Sequence, residues 1–322
     1  MKNNIFQKAR IKLTFYYIGI MAVILLAFSS VLIFTIESRI RDGFKDHIIV
    51  TELDSDPIKD TSNEIEFLIY TIDGILLLVI GFLSYFLAGK TLKPIKEALE
   101  SQKKFSADAS HDLRTPLAIM TTESEVTLQN KNSTMAELRN TIESNLEETI
   151  KMSKLVNDLL LISRGENQVM LYSFTEVDLH NFIDGLIKKV TYQVKNKGLS
   201  IHLCEYKKIL ISFDTNNFER AILNILQNAI KYTKIGTVTI GIQEENNKAI
   251  ITISDTGIGI AEKDLPYVFN RFYRVEHSRS DSTGSGLGLP IAQLIIKEHK
   301  GDIDIKSTVN QGTTVTIKLP RN

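Results

Sequence analysis

The chain has one cysteine in 322 residues, Cys204, so no intrachain disulfide can form. Its neighbours Ile201 and Leu203 alternate with polar positions, which suits a small strand residue. No zinc-type spacing is present, and His47, His180, His202, His277 and His299 are scattered without the pairing a metal cluster needs. Nor is there an excess of either charge, since Lys plus Arg and Asp plus Glu each number 38. That balance gives no basic footprint for nucleic acid, so no direct nucleic-acid binding is expected. The length is that of about two domains, with an apolar fraction ordinary for a globular protein.

Charge is missing altogether from Leu13 to Ile36. A run of about 24 residues at about 1.5 Å each crosses a bilayer core of roughly 30 Å. Lys2, Lys8, Arg10 and Lys12 precede it, as in a secretory signal. The run is too long for a signal core, however, and no small-x-small cleavage site follows before Glu37, so a retained transmembrane helix is expected. A second apolar stretch, Phe67 to Gly89, is interrupted by Asp73 and closed by Lys90, Lys93 and Lys96. Positive charge at both outer flanks places residues 1–12 and everything after Lys90 in the cytoplasm of a multi-pass protein.

The loop between, Glu37 to Glu66, is short for a domain with its own core. Sensing then falls to the membrane helices, to this acidic loop or to a membrane partner protein. Asp73 sits either inside the bilayer, where an ionisable group is by default functional, or at the outer interface with the helix starting at Gly74. The sequence leaves both open.

A helix is expected from Thr91, with Pro94 in its first turn where a missing N–H costs little. It runs into Phe105–Leu117, F-S-A-D-A-S-H-D-L-R-T-P-L, around which the chain is organised. Ile95, Leu99, Ala109, Leu113, Pro116 and Met120 form an apolar seam. His111 lies two residues from both Ala109 and Leu113, about 200° around the helix, and so points into water. Pro116 deprives the carbonyl of Asp112 of its helical donor. A lone surface histidine is usually inert, but one beside a carboxylate on a strained helix is a candidate nucleophile.

Asn130 to Ser133 is turn-like, and Thr134 with Glu137 fits a capping box opening a second helix that continues to about Arg164. Its seam includes Leu138, Ile142, Leu146, Ile150, Leu155, Leu159 and Ile162. One hairpin cannot cover both seams, so two copies joining as a dimeric four-helix bundle is expected. Gly165 to Gln168 reads as a linker. Beyond it, helices are expected near Leu179–Val194, Asn216–Lys231 and Gly288–His299. Strands are expected at Ser200–Leu203, Ile209–Phe213, Gly236–Ile242, Ala249–Ile253 and Thr313–Leu319, together an α/β sandwich.

Three motifs lie in this half. Asn224 and Asn228 in N-I-L-Q-N-A-I-K-Y-T are one helical turn apart, with Lys231 a further turn on. Amide oxygens suit magnesium and an ammonium suits phosphate. Asp255-Thr256-Gly257-Ile258-Gly259 ends a strand, where a carboxylate can accept from the adenine amine. Gly284-Ser285-Gly286-Leu287-Gly288-Leu289 opens a helix whose free N–H groups suit phosphate. A dinucleotide fold would need a strand before these glycines, and Glu276–Thr283 is polar instead.

The His111 stretch resembles the phosphoacceptor box of sensor histidine kinases, with Asp112 where that family more often has Glu. The later motifs resemble the N, G1 and G2 boxes of the ATP-binding domain these kinases share with Hsp90, gyrase and MutL. V-F-N-R-F-Y-R, with Phe272 and Arg274, resembles the F box, and Gly312-Thr313-Thr314 the final G-T element. The resemblance covers roughly Lys90 to the C-terminus. After the two transmembrane helices read above (13–36 and 67–89), it implies a dimerisation and phosphoacceptor domain (90–165) and a Bergerat-like catalytic domain (170–322).

Carried over, it makes His111 the phosphoacceptor, Asp112 the base and Thr115, in D-x-x-T, either a phosphatase residue or a cap of the Pro116 turn. Asn228 would hold Mg²⁺ with Asn224 in support. Lys231 and Arg274 would contact phosphate, Tyr232 would stack near adenine and Asp255 would read its amine. Phe272, Gly257, Gly259, Gly284, Gly286, Leu287, Gly288 and Thr314 would shape the ATP pocket, with a lid from about Asn270 to Ser285. The implied activity is autophosphorylation from ATP and phosphotransfer to a response regulator, in a homodimer in the bacterial cell membrane. Only about 22 residues precede His111 after the membrane edge, too few for the linker domain many such kinases carry. Two other classes remain open, an ATPase of the wider superfamily that would not need His111 and a scaffold that binds ATP without transfer.

Overall fold

A computed structural model describes residues 3–45, 56–167, 172–204, 208–275 and 284–321. The chain forms two compact units, Met1–Lys104 and Phe105–Asn322.

In the first unit, α1 spans Asn3–Lys45 and meets the opening portion of α2, a single helix over Asp56–Gln129. Both are long and apolar enough to cross a membrane. Three expectations are corrected. Helix does not begin at Thr91, so Pro94 stands in a helix interior and leaves the Lys90 carbonyl without its partner. The cost of about 3 kcal/mol is one turn's worth against a long helix on either side. The loop expected over 37–66 is helical at both flanks, and residues 46–55 lie outside the described residues. Helix also runs through Asp73, which removes the alternative of a start at Gly74.

Small residues let the two helices approach, as packing without a hydrophobic drive requires. Thr14, Ser29 and Ala88 are buried, and Gly81 lies against Ile18. The Ser29 hydroxyl donates to the Asp73 carboxylate at 2.6 Å. Nearer the chain start, Arg10 donates from Nε to the Tyr85 carbonyl at 2.9 Å and lays its guanidinium 3.6 Å from the centre of the Tyr85 ring. A Cβ at Gly89 would run into that guanidinium.

The second unit begins with an antiparallel hairpin of the last part of α2 and α3 (Met135–Asn167). The capping box forms as expected, with Glu137 accepting from the Thr134 N–H at 2.8 Å and the Thr134 hydroxyl accepting from the Glu137 N–H at 3.3 Å. Between the helices, Asn145 donates to Ser124 at 3.0 Å and the hydroxyls of Thr127 and Thr141 meet at 2.8 Å. The expected linker at Gly165 is instead helix to Asn167, because Gly165 packs directly under Leu294, where a Cβ would clash. A glycine that reads as a breaker is here a close-packing site. Residues 168–171 lie outside the described residues. Much of the hairpin's apolar surface stays exposed, including Val126, Leu128, Ile142, Leu146 and Ile150.

The remainder is an α/β sandwich. Strands β2 (Ser200–Leu203), β4 (Thr237–Glu245), β5 (Lys248–Asp255), β7 (Gly312–Pro320) and β6 (Asp302–Thr308) make one sheet in that spatial order, with β2 parallel to β4 and the others antiparallel. A separate pair joins β1 (Phe174–Asp178) to β3 (Leu210–Asp214). Helices α4 (Leu179–Asn196), α5 (Thr215–Tyr232) and α6 (Gly288–Glu298) share one buried core with the sheet, in which Phe213, Phe218, Ile222, Ile251, Ile253 and Ile295 are almost fully enclosed.

Asp214 caps α5, accepting from the Asn217 N–H at 2.9 Å and, on its other oxygen, from the Ser173 N–H at 2.9 Å. Burial works to raise its pKa, but these bonds and nearby His299 outweigh it and hold the carboxyl below its usual range. His299 accepts at Nε2 from the Asp214 N–H at 3.0 Å and donates from Nδ1 to the Ile295 carbonyl at 2.7 Å, tying α6 to the start of α5. His299 is thus a core histidine.

Candidate functional site

Two faces of α5 divide the work. Phe218, Ala221, Ile222, Ile225, Leu226, Ala229 and Ile230 are buried, and the half-buried opposite side carries Asn224, Asn228 and Lys231 at spacings of four and three. Asn224 donates to the Gly288 carbonyl at 3.3 Å, fastening the first turn of α6 beside it. Gly284 lies so near that a Cβ there would sit 3.0 Å from the Lys231 ammonium. That ammonium lies 5.1 Å from the centre of the Tyr232 ring.

The end of β5 closes another side. Asp255 Oδ1 accepts from the Gly257 N–H at 2.8 Å and from the Thr313 N–H at 3.2 Å. Burial pushes the Asp255 carboxyl up from its ordinary pKa, and these two donors offset this only in part. Beyond it, Gly259 adopts φ 67°, and a Cβ there would collide with the Thr308 carbonyl. Thr314 shares a 2.8 Å hydroxyl hydrogen bond with Ser254, next to Asp255 on the same strand.

The F-box stretch is built tightly. Phe272 adopts φ 58°, uncommon for a bulky residue, with its backbone against Gly286, itself at φ 68°. Its ring meets Phe105 of the hairpin edge-on at 5.7 Å, and the Arg271 guanidinium lies 5.5 Å from the centre of the Phe105 ring. Arg274 is half-buried two residues further on. Residues 276–283, most of the expected lid, lie outside the described residues. Leu287 differs from expectation. Its side chain is wholly buried in the core, so only its backbone can serve a ligand.

On the hairpin, the His111 side chain is 79 % exposed, and its Nδ1 lies 3.5 Å from Asp112 Oδ1. Thr115 donates to the His111 carbonyl at 3.4 Å, and the helix continues through Pro116. Sequence and structure thus agree on a water-facing imidazole with a carboxylate at one nitrogen.

The structure brings Asn224, Lys231, Tyr232, Asp255, Gly257, Gly284 and Gly288 into one neighbourhood, beside the N-terminal turn of α6. No cluster of three or more His, Cys, Asp or Glu able to hold a metal occurs among the described residues. A divalent cation beside Asn228 would have an amide oxygen from the protein and otherwise phosphate oxygens and water, which fits the habit of Mg²⁺. Reading the sequence did not pick out Arg271 against Phe105, Thr313 as a backbone donor to Asp255, or Lys197, whose ammonium reaches the end of α5. Backbone donors and contacts across domains carry no local motif.

Residues 101–168 match the His Kinase A (phospho-acceptor) domain, and residues 213–322 match the histidine kinase-, DNA gyrase B- and HSP90-like ATPase family. The chain is 33 % identical over 249 residues to sensor histidine kinase RppB of Synechocystis, covering 75 % of this chain and 54 % of that protein. It is 34 % identical over 224 residues to sensor protein SrrB of Staphylococcus aureus, covering 69 % and 38 %. The chain thus spans about half or less of the length of these relatives. The fold is like that of histidine kinase ThkA in its complex with response regulator TrrA, with a TM-score of 0.56 at 19 % identity over 70 % of this chain and 64 % of that one.

Proposed function

From the membership of this chain in the sensor histidine kinases of two-component systems, we propose that it phosphorylates itself on His111 from ATP and passes the group to an aspartate of a response regulator. The observation that carries the reading is the pairing of an exposed imidazole, one nitrogen facing a carboxylate, with a nucleotide-type site in the same chain.

Asp112 holds the Nδ1–H of the neutral ring, leaving the Nε2 lone pair outward. Nε2 forms the new bond to the γ-phosphorus as the bond to the β,γ-bridging oxygen breaks and ADP departs, and the Nδ1 proton stays on the ring or passes to Asp112. Lys231 and Arg274 offset charge on the phosphates, the N-terminal amides of α6 bind phosphate oxygens, and Asp255 accepts from the adenine amine. Mg²⁺ held at Asn228, with Asn224 behind it, supplies further charge neutralisation when bound.

The exposed apolar stripe of the hairpin is covered by a second copy, giving a homodimeric four-helix bundle. The response regulator as partner follows from the kinship with the sensor proteins RppB and SrrB. Helices α1 and α2 cross the lipid bilayer at 13–36 and 67–89, with residues 90–165 and 170–322 in the cytoplasm. Purified full-length protein in detergent with Mg²⁺ and γ-labelled ATP should acquire an acid-labile, base-stable label and pass it to a cognate receiver domain. Failure of a nucleotide-binding preparation to label would end the kinase reading.

Thr115 is positioned one turn after Asp112 to orient water against a phosphorylated regulator. Thr115→Ala is expected to lower regulator dephosphorylation at least about tenfold while autophosphorylation stays within about twofold, a range in keeping with loss of a water-positioning hydroxyl. Equal dephosphorylation by both proteins would leave this hydroxyl as no more than a helix back-bond.

The Ser29–Asp73 bond contributes to holding the two membrane helices in register. Interhelical hydrogen bonds in bilayers are worth about 0.6 kcal/mol, up to about 1.7, so Asp73→Leu should move a two-state signalling equilibrium about 3- to 20-fold. The measure is a transcriptional reporter of the cognate regulator in cells, and unchanged output would assign the pair to packing alone.

A further inference from the structure

We propose that Lys197 is a positioning residue for the nucleotide site, acting through the last turn of α5. The inference rests on the ATP-site reading above and starts from the fate of four carbonyls. A helix leaves its last four carbonyls without helical partners, and a helix that ends beside a polyanion has two problems at once, unmet acceptors and a negative dipole end. In α5 these carbonyls belong to Ala229, Ile230, Lys231 and Tyr232, the turn that carries Lys231 and Tyr232 and directly follows Asn228.

All four are met. Ala229 accepts from the Thr233 hydroxyl at 2.7 Å as well as from the Thr233 N–H at 3.2 Å. Tyr232 accepts from the Ile258 N–H of the Asp255 loop at 3.2 Å. The middle two, Ile230 and Lys231, are both served by the Lys197 ammonium, at 3.0 Å and 3.1 Å. Three pieces of chain remote from one another thus fasten one turn, and Lys197 is the one that brings a charge.

Its own placement is specified. Lys197 is the C-cap of α4, with its N–H held by the carbonyls of Gln193 and Val194, and Gly198 at φ 68° turns the chain away. The side chain therefore leaves a fixed backbone point and crosses to the end of a neighbouring helix. A positive charge there opposes the negative end of α5, on the turn that carries Lys231, which would contact the triphosphate. Lys197 does not need to touch the nucleotide. It keeps the turn in place and lowers the repulsion an incoming polyanion would feel.

The test uses the full-length protein in detergent. Wild type, Lys197→Met, Lys197→Gln and Lys197→Arg are compared for ATP affinity by equilibrium binding and for KM and kcat of autophosphorylation, at low and high salt. Met and Gln are expected to weaken ATP affinity and raise KM about three- to tenfold with kcat within about twofold, the size of a helix-terminus charge effect. The deficit should shrink at high salt, because the side chain is exposed. Arg should restore affinity to within about twofold.

A merely structural lysine would lower kcat along with affinity and would show no salt-dependent deficit. Wild-type affinity in either Met or Gln, or no recovery with Arg, overturns the proposal. If Met does not fold, Gln, one bond shorter but with a donor and no charge, decides the matter. Should wild type itself bind no ATP, the nucleotide-site reading fails instead, so the two failures are distinguishable.

Discussion

Replacing His111 with Gln is expected to reduce labelling from γ-labelled ATP to background, a loss on the order of 10³-fold or more, while ATP affinity and thermal stability stay as in wild type. The size follows from chemistry. A glutamine amide nitrogen has no available lone pair, so no other group at that position can form the N–P bond, and loss of a reacting nucleophile is among the largest single effects an enzyme shows. The selectivity follows from geometry. The His111 side chain is 79 % exposed, its imidazole lies 3.5 Å from Asp112, and exposed substitutions of similar size usually change stability by no more than about 0.5 kcal/mol.

Asp112→Asn is the companion. It keeps the shape and a carbonyl acceptor but removes the charge and the basic oxygen that would take the Nδ1 proton, and a loss of about 10²-fold or more in rate is expected, with ATP binding again intact. Label that persists in His111→Gln would place the reacting group elsewhere, and an unlabelled wild type that binds ATP would favour an ATPase or a scaffold. The measurement is label retained after alkaline and acidic treatment, read beside nucleotide affinity and a melting curve of the same preparations.

What the residues revealed in advance was whatever is local. The capping box of Thr134 and Glu137 closes as its spacing says, since both partners lie within one turn. Strand β2 ends where the alternation of Ser200–Leu203 ends. The Asn224/Asn228/Lys231 face, the carboxylate ending β5 and the glycines before α6 are each readable because helical and strand periods fix which way a side chain points. What escaped depends on partners distant in sequence. Gly165 looks like a helix stop until Leu294 packs on it. Pro94 looks like a helix start, but the helix forms from Asp56 onward and passes through it.

Strands β1 and β6 were missed for a similar reason. β1, F-T-E-V-D, and β6, D-I-D-I-K-S-T, are edge segments rich in charge and hydroxyls, and each pairs along only one side, β1 with β3 and β6 with β7. In β1 charge and hydroxyls mask any alternation, and in β6 only Ile303 and Ile305 carry it. Leu287 shows the converse limit. Its place inside a glycine motif suggested ligand contact, whereas its side chain is a core residue that anchors the loop from behind.

Asp255→Asn is expected to weaken ATP binding about 10- to 100-fold without lowering the stability of the protein, the range that follows from leaving a buried hydrogen-bonding partner mismatched. Asp255 Oδ1 already accepts from the N–H groups of Gly257 and Thr313, and an asparagine can present its own carbonyl oxygen to both. Its second group is then an NH₂ where a carboxylate oxygen stood, a donor facing the adenine amine, itself a donor. Guanine offers an acceptor at that ring position, so the variant should also narrow the preference for ATP over GTP.

Stability should move the other way from affinity. Because burial raises the folded-state pKa of this carboxyl, the folded protein holds that proton more tightly than the unfolded chain. The resulting contribution is full below the unfolded carboxylate range and is lost as pH rises through the raised value, so at neutral pH the charged Asp255 is a burden on the fold. Asparagine carries no such burden. Melting temperatures compared from about pH 4 to pH 8 should therefore show the variant level with or above wild type at the upper end, with the gap closing toward the acid end. A variant that binds ATP as wild type does would remove Asp255 from adenine recognition. One that is much less stable at neutral pH would mean that the carboxylate serves the loop, not the ligand.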